Sequence, residues 1–153
     1  MTTAITLATA EQQPQVLSLM ERRDTEAGGA PWDDSDNALA RRAVGPLLQG
    51  GSEGAIWLIG PTRAPLGYAI VTFGWSIPLA GREGWVEDVF IRPNVRRRGI
   101  GTEVLHAIAV SLRQAGLKAL HVRLPSAAAA AEHFFGGAGF ATNTDLTVMT
   151  DLL

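Results

Sequence analysis

Cysteine is missing from this chain, which excludes disulfides, thiolate metal sites and a cysteine nucleophile. Lysine is almost missing too: Lys118 is the only one among 153 residues. A P-loop, which requires Gly-x-x-x-x-Gly-Lys-Ser/Thr, is therefore excluded. Tyr68 is the single tyrosine. His106, His121 and His133 lack metal-ligand spacing such as His-Glu-x-x-His, and no metal is expected. No apolar run approaches the roughly 18 residues needed to span a bilayer. The N-terminus has no basic region before an apolar stretch, so no signal peptide is expected and the cytoplasm is the expected compartment. Net charge is −2, which gives no overall electrostatic hold on nucleic acid or an anionic membrane.

The residues that are present describe a globular chain. A hydrophobic share of 46% against a charged share of 18% is enough to build a core and too apolar for disorder. The length and the absence of a linker or repeat predict one domain over residues 1–153. Charge is unevenly spread. Arg92, Arg96, Arg97 and Arg98 crowd one loop, whereas Glu21, Asp24, Glu26, Asp33, Asp34 and Asp36 crowd an early segment. The first region suits an anion and the second a cation, with solvated surface as the plainer reading of both.

Ile5-Thr6-Leu7 reads as a first strand, followed by a helix from about Thr9 with Val16, Leu17, Leu19 and Met20 inward. Asp36 is the expected N-cap of a second helix carrying Leu39, Ala43 and Val44. Ala55–Ile59, Leu66–Trp75 and Trp85–Ile91 form a predicted strand meander, the last two joined through Pro78 to Gly84. Thr102–Ala115 carries a helical apolar face ended by Gly116, and Ala119–Leu124 alternates as a strand. Ser126 is the expected cap of an Ala-rich helix over Ala127–Phe135, and Phe140 and Leu146–Met149 suggest closing strands. The order β-α-α-β-β-β-α-β-α-β predicts an α/β domain with a mixed sheet. Trp57 and Trp85 fall in strand patterns and are expected in the core, while Trp32 and Trp75 are candidates for an acceptor wall or for ordinary packing.

The most informative stretch is Glu87–Thr102. A strand, a Pro-Asn turn, a basic glycine-containing loop and a helix start follow one another there. That order aims unpaired backbone N–H groups and the positive end of a helix dipole at one point, as a phosphate requires. A Rossmann fingerprint fails because Gly99-Ile100-Gly101-Thr102-Glu103-Val104 ends on valine. What fits is Arg96-x-x-Gly99-x-Gly101 after Phe90-Ile91-Arg92-Pro93. It resembles motif A of the GNAT acetyltransferase superfamily. Phe134-Phe135-Gly136-Gly137-Ala138-Gly139-Phe140 resembles that family's Phe-Tyr-x-x-x-Gly-Phe ending, and the element order agrees over nearly the whole chain.

The resemblance implies a mostly antiparallel mixed sheet flanked by helices, with strand 4 and strand 5 splayed to hold acetyl-CoA. It implies that Arg96, Arg97, Arg98, Gly99, Ile100, Gly101 and Thr102 hold the pyrophosphate, with a solvated turn as the alternative for the arginines. Glycine at 99 and 101 would let backbone approach the diphosphate. Val89, Phe90 and Ile91 would supply a bulged strand against which pantetheine lies, with an N–H near Val89 polarising the thioester carbonyl. Ser126 and Phe135 would complete the cofactor site. The implied activity is an acyltransferase moving an acetyl group directly to a primary amine of a small molecule. Alternatives are a protein lysine or N-terminal acetyltransferase and a catalytically weak acyl-CoA-binding module. Glu87 is the candidate base, with a hydrogen-bonded or solvated acid as its plainer reading, and Asp88 is expected on the opposite face by alternation. Glu87-Asp88 also resembles the Glu-Asp of the diamine acetyltransferase branch. Phe135 stands where the family commonly has the tyrosine that protonates the leaving thiolate; Ser126, Glu132 and His133 are the polar residues nearby. A homodimer is also an expectation, since dimers are frequent in families that resemble this one.

Overall fold

The computed structural model describes residues 3–96 and 99–153. Its sheet has five strands in the order β1-β2-β3-β4-β5, formed by Ile5–Leu7, Gly54–Ile59, Gly67–Ser76, Gly81–Ile91 and Ala119–Val122. The first four pair antiparallel, and β4 and β5 are parallel. This is the expected mixed, mostly antiparallel sheet. The parallel ladder joins Glu83–Val86 to Ala119–Val122 and then stops, while β4 continues to Ile91. The two strands part from that point.

Strand alternation sends successive side chains to opposite faces, and each face has its own apolar cluster. Ile56, Leu58, Tyr68, Ile70 and Phe90 pack beneath α1 (Gln13–Glu26) and α2 (Asp34–Val44), meeting Val16, Leu19 and Val44. Trp57, Ile59, Ala69, Val71 and Val86 pack beneath α3 (Ile100–Gln114) and α4 (Ala129–Gly137), meeting Val104, Leu105, Ile108 and Phe135. The sheet thus separates an early helical layer from a late one.

Several boundaries differ from expectation. Asp33, not Asp36, caps α2: its side chain accepts from the Asp36 backbone N–H, and Asp36 answers from the third helical position to the Asp33 N–H. Both are good capping residues, and the reciprocal box decides between them. On α2 the buried residues are Ala40 and Val44, while Leu39 is 60% exposed and Ala43 is exposed. The turn after β3 occupies only Ile77–Ala80, because Gly81 and Gly84 are paired with Ser76 and Phe73 instead of forming a loop. Ser126 does not cap α4; Ala127 takes a left-handed conformation (φ 60), which delays the helix to Ala129. Trp85 is half-buried, not core. No closing strand forms after α4: residues 140–153 contain no strand, since a period-2 pattern needs a neighbouring strand to pair with.

Candidate active site

The ladder between β3 and β4 slips at one place. Ile70 faces Asp88 and Val71 faces Val86, so Glu87 is the extra residue of a β-bulge. It sits within the strand, which begins at Gly81 and not at Trp85, and lies where the β4–β5 ladder has just ended. The bulge also overturns the expected alternation of Glu87 and Asp88. Glu87 accepts from the Thr72 hydroxyl (3.3 Å) and Asp88 accepts from the Tyr68 hydroxyl (2.6 Å). Tyr68 and Thr72 lie four apart on β3 and share a face, so both acids point to the α1 side.

Their surroundings differ. Glu87 is half open to solvent and pairs with Arg123 beyond the end of β5 at 3.2 Å. The Arg123 guanidinium lies 4.4 Å over the Trp85 ring, which also stacks on His121 at 4.6 Å. Asp88 is tied to Arg23 of α1 and to Tyr68. Arg23 also holds Asp24 (2.8 Å), and the Trp32 indole N–H donates to Asp24 (2.9 Å). Burial, then the Asp88 charge and its hydrogen bond, push the Tyr68 hydroxyl well above its ordinary value. Burial lowers the Arg23 guanidinium, but Tyr68, Asp88 and Asp24 more than reverse this and leave it raised. Burial raises Asp24, while hydrogen bonds from Arg23 and Trp32 bring it below the usual carboxylate value. Asp88 is therefore part of a cross-link between α1 and the sheet.

That network consumes most of the early acidic cluster. Glu21 accepts from the Trp32 backbone N–H (2.7 Å), Glu26 pairs with Arg96 (2.5 Å), and Asp33 and Asp36 cap α2. Trp32 packs against the first core instead of standing free as an acceptor wall, and Trp75 is 64% exposed.

On the other side of β4 a cleft of about 660 Å³ opens between the strand, the start of α3 and α4. Val89, Phe90, Ile91, Arg96, Gly99, Ile100, Gly101 and Thr102 line it, so these residues come together in one place. Gly99 has the left-handed backbone (φ 73) that favours glycine, and α3 begins immediately after it. The first intrahelical bond runs from the Glu103 N–H to the Gly99 carbonyl (3.0 Å), which leaves the amides of Ile100, Gly101 and Thr102 without helical acceptors. Gly101 has a different reason for being glycine: an added Cβ would lie 2.7 Å from Cε1 of Phe134. It permits α3 and α4 to approach.

Three lining residues were not assigned to the site from sequence: His133, Phe134 and Gly137. Of the three polar residues named near Phe135, His133 is in the lining and Glu132 is not. Phe135 lies 8% exposed in the second core, edge-to-face with Phe134 (5.0 Å) and Phe140 (5.3 Å). Neither Phe135 nor Ser126 is among the described residues lining the cleft. The Arg96 side chain turns toward α1, donating to the Ile91 carbonyl (2.7 Å) and pairing with Glu26. Arg97 and Arg98 lie outside the described residues.

The acetyltransferase (GNAT) family model matches residues 15–140. The chain belongs to the GNAT acetyltransferase family. Among solved structures, this GNAT chain resembles an integron cassette protein from the mobile metagenome of Cole Harbour Salt Marsh. That match has 29% identity and a TM-score of 0.81, over 97% of this chain and 90% of that one. A predicted acetyltransferase with acetyl-CoA from Clostridium acetobutylicum matches at 16% identity and TM-score 0.75, over 97% and 96% of the two chains. An aminoglycoside acetyltransferase from an uncultured soil metagenomic sample, in complex with sisomicin, matches at 14% identity and TM-score 0.74, over 99% and 96%. At such identities the last two likenesses concern the fold alone. No curated protein matches the chain. No helix among the described residues is long and apolar enough to cross a membrane.

Proposed function

We propose that the protein transfers the acetyl group of acetyl-CoA directly to a primary amine of a small molecule. The observation that carries this reading is the parting of β4 from β5 after Val86 and Val122, beside a cleft that ends on the unpaired amides of α3. The residues fit the cofactor: Ile100 to Thr102 offer N–H donors to a pyrophosphate, and the β4 backbone from Val89 to Ile91 lies beyond the β5 ladder, open to pairing with an extended ligand except at the Ile91 carbonyl, which Arg96 holds. Arg96 lines the same cleft, but its guanidinium, 5.6 Å from the Phe90 ring centroid, is paired with Glu26. When bound, acetyl-CoA supplies an acetyl group activated as a thioester.

Glu87 is the base in this reading. Its carboxylate is half-exposed on the α1 side, able to take a proton from an ammonium directly or through one water. Asp88 is held by Arg23 and Tyr68 and serves position, not proton transfer. An N–H near Val89 is the donor to the thioester oxygen, and loss of such a donor costs ~10²–10³ in rate. His133 lines the cleft and takes the acid role that Phe135 cannot fill. The amine acceptor is consistent with the acetyltransferase fold-neighbour crystallised with sisomicin, an aminoglycoside-class complex.

Thiol release from acetyl-CoA, measured against a panel of small amines, tests the reading. Acceptor-dependent release is expected. Binding of CoA without release on any amine would favour an acyl-CoA-binding module, and no CoA binding by titration calorimetry would remove the assignment.

A further inference from the structure

On the α1 side of the sheet, opposite the cleft, the parting of β4 from β5 is bridged by charge. Val86 and Val122 are the last ladder pair, and Glu87 and Arg123 are the next residue on each strand. Their side chains meet across the parting at 3.2 Å. Trp85, one residue before Glu87, belongs to neither apolar cluster. It lies instead against Arg123 (4.4 Å) and His121 (4.6 Å).

The other acids of this face are already engaged. Glu83 accepts from the Trp85 indole N–H (3.2 Å) and contacts a His121 ring nitrogen (3.0 Å). Asp88 is held by Arg23 and Tyr68, and Asp24 by Arg23 and Trp32. Arg123 is the opposite case. A guanidinium carries five N–H donors, and among the described residues Arg123 spends only Nη2, on Glu87. Contact with the Trp85 ring orients the guanidinium while its side chain stays half-exposed. The face therefore offers one acid to an ammonium, a planar fork to a carboxylate, and no acid to a second ammonium.

We infer that the acceptor is a short amino acid, its ammonium on Glu87 and its carboxylate on Arg123. An exposed ion pair is held weakly, and one zwitterion satisfies both of its halves when it comes between them. Because Glu87 and Arg123 are in contact, the amine and the carboxylate must be close together, as in an α- or β-amino acid. A polyamine or aminoglycoside would bring further cations beside Arg123, with no acid left to receive them. The inference rests on the transferase reading with Glu87 as base. The ammonium gives one proton to Glu87, and the C–N bond forms as the thioester C–S bond breaks. The departing thiolate takes the second proton of the amine, and Glu87 returns the first to solvent. The product is a neutral amide, which no longer competes with Arg123 for Glu87, so the ion pair closes behind it.

The test is thiol release from acetyl-CoA by the full-length protein with four sets of acceptors. They are the standard amino acids, their carboxamides, the matching decarboxylated amines, and the polycations spermidine and kanamycin. For the best amino acid, kcat/KM is expected to exceed that of its carboxamide and its decarboxylated amine by ~10–100-fold, the share of a hydrogen bond to a charged group. In Arg123→Gln that ratio should collapse, chiefly through a higher KM for the amino acid. Arg123→Lys keeps the charge without the fork and should retain part of the ratio. A merely structural role for Arg123 would lower all acceptors alike and leave the ratio intact. Equal use of amino acids and carboxamides, a preference for the polycations, or a ratio undiminished in Arg123→Gln would overturn this inference alone. CoA binding without thiol release on any acceptor would overturn the transferase reading, and this inference with it.

Discussion

Glu87 and Asp88 are adjacent, chemically alike and differently placed. One is a bulge residue open to solvent beside Arg123; the other is held in a cross-link with Arg23 and Tyr68. If Glu87 is the base, Glu87→Gln keeps the shape and removes the proton acceptor. Turnover with a good amine is expected to fall by ~10²–10⁴, the ordinary share of general base catalysis. CoA affinity by calorimetry should stay within error, since Glu87 does not line the cleft. Equal losses in affinity and turnover would instead mark a structural role. That two acids stand side by side here was legible in Glu87-Asp88. The facing was not, because alternation assumes an unbroken ladder and a bulge is set by pairing with β3.

At the scale of elements, the loop from β4 into α3 was the part most legible in sequence, because it is short, contiguous and fixed by local rules. A left-handed glycine followed by unpaired amides is a property of neighbouring residues. The contact between α3 and α4 is the opposite case. Gly101 and Phe134 are distant in sequence, and only packing makes the missing Cβ matter. Gly101→Ala is expected to force the Phe134 ring aside, at a cost of about 1–3 kcal/mol for overpacking, partly offset by about 1 kcal/mol of helix propensity. A lower thermal midpoint together with weaker CoA binding is expected, because the displaced ring lines the cleft. An unchanged midpoint and affinity would show that α4 yields freely. The same distance in sequence left His133 as one of three polar candidates and promoted Phe135, since a helix of uncertain start leaves open which residue faces the cleft and which the core. The left-handed Ala127 moved that start.

The whole molecule is fastened across the sheet by Arg23, Asp88 and Tyr68, and this has a pH signature. Tyr68 is fully buried and its hydroxyl is raised, first by burial and then by Asp88. In the unfolded chain a tyrosine ionises near pH 10. Above that pH the unfolded state sheds a proton that the folded state keeps, so the contribution is complete below about pH 10 and is lost as pH rises further. Because Tyr68 is the only tyrosine, tyrosinate absorbance reports it alone. The folded protein should resist ionisation up to the point where it unfolds, and denaturant should restore a midpoint near pH 10. Tyr68→Phe should lower stability at neutral pH by about 1.5–3 kcal/mol, the range for a hydrogen bond to a charged group, with the deficit shrinking above pH 10. A midpoint near 10 in the folded protein would contradict the cross-link. By itself the sequence determined the element order as far as α4, the mixed sheet and the glycine turn into α3, since propensity, periodicity and glycine chemistry act over a few residues. Only the tertiary structure decided which acid stands free, which phenylalanine is core, what the acidic cluster is bound to and where the last strand fails to form. Each of those depends on a partner brought near by folding.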